Sequence, residues 1–196
     1  DVGTTNATVA QAELLVDYGI SIDGIDIVDT SANIVAMSAD LVTAIVAANG
    51  NAPLNDTTVS SSDNAAMTLS VAVANAVFDV TGAAAESDGS NYATYTLSDT
   101  ATKLANANTG LINRSQGVTA TDAATAAEAN TIDAATTMGS SAVYSIEDTA
   151  TLAAGANASA LNNAVNITAN TTATIAEALT LNGATNSGST SYAISG

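Results

Sequence analysis

The hydrophobic and polar positions of Val143 to Ala164 (VYSIEDTATLAAGANASALNNA) follow two periods in succession. Tyr144 and Ile146 alternate with Ser145 and Glu147, as in a strand with one buried face and one wet face. Asp148 or Thr149 can then accept a hydrogen bond from the free amides of the next turn, so an Ala-rich helix starts where the strand stops. Val165 to Thr185 (VNITANTTATIAEALTLNGAT) repeats this order with different letters, and SYAISG opens it once more.

The repetition has a fixed spacing. Tyr95, Leu97, Asp99 and Thr100 recur 49 positions later as Tyr144, Ile146, Asp148 and Thr149, and Val118, Glu128 and Ala129 recur 49 positions later as Ile167, Glu177 and Ala178. Each repeat splits into two strand–helix coils, with starts predicted near Val118, Tyr144, Val165 and Tyr192. The opening of the chain fits the same frame. Ala7 to Leu15 (ATVAQAELL) echoes Ala173 to Leu181 (ATIAEALTL), and Ile25 to Ile34 (IDIVDTSANI) echoes YTLSDTATKL, which places another start near Ile25. In a long first helix, Ile34, Leu41, Ile45 and Ala48 fall along one stripe, with Met37 and Val42 beside it.

A strand, a helix and a second strand of the same kind imply a right-handed crossover and parallel strands. The predicted fold is therefore α/β, a parallel strand–helix solenoid of about seven coils, with roughly two dozen residues per coil. It forms a single repeat domain over 1–196, regular over 95–196 and irregular over 49–94. Within the irregular part, Asn49 to Ser62, with the only proline at Pro53, and Gly82 to Asn91 read as loops. Met67 to Phe78 (MTLSVAVANAVF) alternates like a strand, yet the surrounding frame asks for a helix, and the frame is given the greater weight.

Composition narrows the function. Two basic residues, Lys103 and Arg114, stand against 19 acidic ones, for a net charge of −17. No cationic stripe for a phosphate backbone can be built from two residues, so no nucleic-acid partner is expected and anionic membrane surfaces are poor partners. Cys and His are absent, which removes disulfides, thiol nucleophiles, Ser-His-Asp triads and His- or Cys-ligated metals. No run of 18 apolar residues occurs, so no membrane insertion is expected.

The remaining candidate chemistry is acidic. Asp23, Asp26 and Asp29 in ISIDGIDIVDT read as alternating with apolar residues on one side of a strand. They could form a calcium ledge, or a carboxylate pair for sugar hydrolysis in Asp23 and Asp26, against the simpler reading of a wet strand face ending in a helix cap. No other metal and no cofactor is expected. Asp99 and Asp148, two coils apart, would form a ladder of caps, and Glu128 and Glu177 read as solvent-facing helix charges. Tyr95, Tyr144 and Tyr192 form one tyrosine per repeat, read as a structural stack in preference to an exposed carbohydrate-binding row. The sequons at Asn6, Asn55, Asn113, Asn157, Asn166 and Asn170 are what a chain this rich in Asn, Ser and Thr produces by chance.

Units of the form Y-x-[IL]-x-D-T-A, an Ala-rich helix, then A-T-[VI]-A-[QE]-A occur here at Tyr95 to Ala101, Tyr144 to Ala150, Ala7 to Ala12 and Ala173 to Ala178. They resemble the units of long secreted bacterial, cyanobacterial-type, cell-surface or adhesin-like repeat proteins. That resemblance implies an extracellular structural or adhesive role without enzymatic activity. The expected partner is the protein itself, stacked end to end into a filament, sheath or surface layer, with a carbohydrate or cell surface as a further partner. A carbohydrate-acting enzyme on a solenoid scaffold and a calcium-stiffened spacer are the alternatives.

Overall fold

The computed structural model describes residues 5–49, 57–63, 65–78, 95–136 and 141–194. The chain divides into two compact units, Asp1–Thr96 and Leu97–Gly196. In the first, β1 (Thr5–Ala7) leads into α1 (Val9–Asp17), and β2 (Ile25–Asp29) into α2 (Ser31–Val35) and α3 (Ala39–Asn49). β3 (Val59–Ser61) then precedes β4 (Met67–Leu69) and α4 (Val71–Phe78). β2 runs parallel to both neighbours, with Ile27 opposite Ala7 on one side and Val59 on the other.

In the second unit β5 (Tyr95–Asp99), which opens at the boundary, is followed by α5 (Ala101–Ala105) and α6 (Thr109–Arg114), and β6 (Gly117–Ala120) by α7 (Ala126–Ala135). β7 (Ser141–Val143) and β8 (Ile146–Asp148) lead to α8 (Ala150–Ala154) and α9 (Ala158–Asn163). β9 (Ile167–Ala173), α10 (Ile175–Asn182) and β10 (Thr190–Ile194) follow. Val118 sits opposite Leu97 and Ala142, Ile167 sits opposite Ile146 and Thr190, and an isolated bridge joins Ala124 to Ile146. All these pairings are parallel, and each joins strands consecutive in sequence, so the fold is α/β with a helical crossover between paired strands. Gly188 is needed at one close approach, since a Cβ there would lie 2.5 Å from the Val165 carbonyl oxygen.

Two kinds of strand–helix segment alternate among the described residues. Unbroken helices α1, α4, α7 and α10 alternate with broken ones, α2/α3, α5/α6 and α8/α9. The long first helix expected over Ile34 to Ala48 is therefore two helices. The Ser38 hydroxyl caps the second of them by accepting from Leu41 N, as the Asn108 side chain does for Gly110 N in α6. A side chain that satisfies the backbone locally gives the chain an alternative to continuing the helix. The predicted stripe nonetheless faces inward, with Ile34, Leu41 and Ile45 fully buried and Met37 and Val42 nearly so.

Met67 to Phe78 is a strand and then a helix, where one helix was favoured. Met67 and Leu69 bury one strand face, and Ser70 accepts from Val73 N at the helix start. The loop expected over Asn49 to Ser62 is limited at both ends, because Asn49 closes α3 and β3 occupies Val59–Ser61. Its centre with Pro53, and all of Gly82 to Asn91, lie outside the described residues.

Small and branched residues share the core. Ala12, Ala124, Ala129, Ala153 and Ala173 are fully buried alongside Ile27, Leu97, Leu104, Ile146 and Ile167. Alanine at the contacts lets helices lie close to the strands, and the branched residues supply most of the apolar area. Among the described residues no helix is long and apolar enough to cross a membrane.

Candidate functional site

The first amides of a helix have no partner within it and need an acceptor from outside. In this protein much of that acceptor set comes from the following coil. Asp29, at the end of β2, accepts from Val9 N at the start of α1 at 2.9 Å. Asp122 accepts from Ala101 N at 2.6 Å, Asp148 from Ala126 N at 3.1 Å, and the Thr171 hydroxyl from Ala150 N at 2.9 Å. Each bond spans 20 to 22 residues, one coil. Asp63 serves α2 in the same way, taking Ser31 N, the Ser31 and Ser61 hydroxyls and Ala65 N on a single oxygen.

The acceptors obey a rule of register. Before a broken helix, the strand-end Asp of the Asp-Thr pair reaches back, as Asp29 and Asp148 do. Before an unbroken helix, the residue three positions ahead of the capping threonine reaches back, as Asp122 and Thr171 do from Thr125 and Thr174. The helices that follow are capped by Thr30, Thr100 and Thr149. This corrects the expected ladder. Capping is its role, but Asp148 holds the preceding coil's helix with one oxygen and Thr149 N with the other, at 2.8 Å. Asp99 accepts from Thr100 N and pairs with Lys103 at 3.0 Å.

Glu128 and Glu177 are likewise joined to their neighbours instead of being free surface charges. Each closes a capping box with its own threonine, Thr125 or Thr174, through one oxygen. The other oxygen accepts the hydroxyl of Thr102 or Thr151 from the preceding coil at 2.7 Å. The Thr102 hydroxyl and then the Thr125 amide hold Glu128 below the usual carboxylate range, and the Thr174 amide and then the Thr151 hydroxyl do the same for Glu177. The Asn33 side chain and the Thr30 and Val9 amides lower Asp29, and the hydroxyls of Ser31 and Ser61 lower Asp63 further. Each carboxylate is stabilised in its charged form by donors aimed at it.

Asp23, Asp26 and Asp29 do not share one face. Asp23 is exposed in the turn ahead of β2, where Gly24 takes a φ of +72°. Asp26 and Asp29, an odd number of residues apart in one strand, point to opposite sides. Asp26 accepts the Thr58 hydroxyl at 2.5 Å, and both oxygens of Asp29 are taken by Val9, Thr30 and Asn33. Among the described residues no group of three or more acidic side chains is placed to hold a metal ion.

The tyrosines have separate partners. Tyr95 is buried and stacks on Phe78 with ring centroids 4.4 Å apart. Tyr144 is buried, donates its hydroxyl to the Ala160 carbonyl and to Asp133, and is pushed upward in pKa by burial and by the Asp133 charge. Tyr192 is half-buried against a cluster of Ala150, Ala173 and Ala178. Asp133 lines a shallow depression with Thr136, Ser141, Ala142 and Asn163, where the Asn163 amide and the Ser159 and Tyr144 hydroxyls occupy its oxygens.

Asp63, Asp122 and Asp133 were not singled out by sequence. The signal for Asp122 was its place three residues ahead of a capping threonine, which Thr171 shares with a different side chain. No family model matches the chain, and neither does any curated protein or solved structure.

Proposed function

We propose that this chain is a structural or adhesive repeat module of an extracellular filament, sheath or surface layer, built as a parallel strand–helix solenoid that grows by stacking and performs no catalysis. The observation that carries the reading is the recurring bond from the first helical amide of one coil to an Asp or Thr of the next. It appears at Val9, Ala101, Ala126 and Ala150, in both compact units.

A coil joined in this way has the first amide of its helix completed by its successor, as expected of an architecture whose stability is a sum of neighbour terms. Asp29, Asp63, Asp122 and Asp148 are spent on these joints, which supports an assembly role over a catalytic one. The large negative charge suits an exposed surface that stays solvated and repels nucleic acid.

Electron microscopy of purified protein over a range of concentrations and salt tests the reading. Rods, fibres or sheets with a regular repeat are expected. Isolated compact particles under every condition, together with rapid hydrogen exchange at the Val9, Ala126 and Ala150 amides, would overturn it.

A further inference from the structure

We propose, resting on the adhesive reading given above, that a notch in the second compact unit binds a neutral sugar residue through hydroxyls on adjacent ring carbons. The notch is lined by Asp133, Thr136, Ser141, Ala142 and Asn163.

The joint that holds it occurs once in each unit. Thr8 and Thr125 cap the unbroken helices α1 and α7, and Thr30 and Thr149 cap the broken helices that follow them. Counted from these caps, Glu13 matches Asn130 and Ser38 matches Asn157, and the two pairs bond alike. Glu13 accepts from Ser38 N at 2.9 Å, and Asn130 from Asn157 N at 2.8 Å. On the same count Val16 matches Asp133, Ala44 matches Asn163 and Ile25 matches Tyr144. The first unit has a notch of about 330 Å³ at this place, with Val16, Ile20, Ile22 and Ala44 in a mainly apolar lining. In the second unit the notch is about 300 Å³, and every lining residue but Ala142 is polar. The joint therefore forms with Val16 and Ala44 as well as with Asp133 and Asn163. Polar side chains at a place where apolar ones satisfy the fold mark it for recognition.

The sheet opens beside this notch. β7 pairs with β6, and β8 with β9, so among the described residues no strand lies beyond Ser141 and Ala142. Asp133 is fixed by the Asn163 amide at 2.7 Å and the Tyr144 hydroxyl at 3.3 Å on one oxygen, and by the Ser159 hydroxyl on the other. An ionised carboxylate has about four acceptor sites, which leaves one open on the Ser159 side. The Thr136 hydroxyl donates to the Asp133 carbonyl at 2.9 Å and keeps its own oxygen as an acceptor. Among the described residues the Ser141 hydroxyl and the Asn163 side-chain carbonyl have no partner.

These groups select the ligand. The lining holds no cation and the chain carries a net charge of −17, so anions are repelled. No aromatic or branched apolar side chain lines the notch, so an apolar ligand has nothing to pack against. An ammonium group would meet the acceptors but leave the Ser141 hydroxyl and the second Asn163 N–H unanswered. Two hydroxyls on adjacent carbons answer both kinds of group: one donates to Asp133, and its neighbour donates to the Asn163 carbonyl and accepts from Ser141. A volume at the lower end of ligand sites takes one sugar ring, with any remaining glycan outside.

The test is an NMR titration of the isotope-labelled chain with methyl glycosides of neutral hexoses, with glycerol and methylammonium as controls. Saturable shifts at the Ser141, Ala142 and Asn163 amides are expected with at least one glycoside, and weak affinity is expected because one ring makes few contacts. Ser141→Ala should weaken that binding about 3- to 10-fold, the worth of one neutral hydrogen bond, and leave the melting temperature unchanged. Asp133→Val/Asn163→Ala, which copies the first unit's lining, should abolish it in a chain that still folds. The proposal is overturned if no glycoside shifts these amides, if glycerol or methylammonium shifts them as strongly, or if Ser141→Ala or the double variant binds as well as the unmodified chain. Electron microscopy of the same samples separates the two levels of function. Regular assemblies of a chain that binds no glycoside would sink the notch alone, and a glycoside-binding chain that never assembles would sink the stacking alone.

Discussion

Removing the Asp148 carboxylate tests the joint between coils most directly. In Asp148→Ala the amides of Ala126 and Thr149 both lose their acceptor, at 3.1 and 2.8 Å respectively. One is the first amide of α7, whose side chain is only 5% exposed, so water replaces the carboxylate poorly there. Loss of a helix-start acceptor costs about 1 kcal/mol, and a hydrogen bond to a charged group contributes about 1.5–3 kcal/mol. These describe overlapping effects, so about 2 kcal/mol is expected for the variant. In a unit of this size that lowers the melting temperature by about 10 °C. Asp148→Asn, with one carbonyl oxygen left, should lose about half as much. Glu147→Ala, one residue away on an exposed side chain that makes no such joint, should stay within about 0.5 kcal/mol. Calorimetry gives the stability and residue-resolved hydrogen exchange gives the site, with Ala126 and Thr149 exchanging faster while Val9 does not change. The reasoning fails if Asp148→Ala costs no more than Glu147→Ala, or if the Ala126 amide keeps its protection.

The remaining predictions concern acid, the buried tyrosine and calcium. Glu128 and Glu177 have pKa values below those of the unfolded chain, so their stabilisation is complete above the ordinary carboxylate range and is lost as pH falls through the folded values. Melting of the unmodified chain against Glu128→Gln/Glu177→Gln should show a gap that is constant above about pH 5 and closes below about pH 4; a gap that widens in acid would contradict the assignment. Tyr144→Phe removes the donor to the Ala160 carbonyl and should cost about 1 kcal/mol in denaturant titration. Absorbance titration should show the Tyr144 phenolate forming only with alkaline unfolding, since burial and Asp133 raise its pKa. Chelation of calcium should leave the melting temperature unchanged, because Asp23, Asp26 and Asp29 do not converge; a fall on adding chelator would restore the ledge.

The order of strands and helices was legible in the sequence because it depends on local periodicity. Tyr144 and Ile146 alternate with polar residues and are buried, and the Asp-Thr pairs stand where strands give way to helices. The breaks within α2/α3 and α5/α6 were less visible, since Ser38 and Asn108 act as caps only once the preceding turn has ended. Met67 to Phe78 failed as one element because its alternation and its helix occupy successive halves of a single apolar run.

What the sequence determined by itself was the α/β class, the parallel crossovers and the approximate position of most strand–helix pairs, all consequences of side-chain period and helix-start chemistry within a few residues. Tertiary structure decided where each carboxylate goes. An Asp-Thr pair before a helix is compatible with capping that helix, and only the neighbouring strand's register brings the Val9 or Ala126 amide within reach of Asp29 or Asp148.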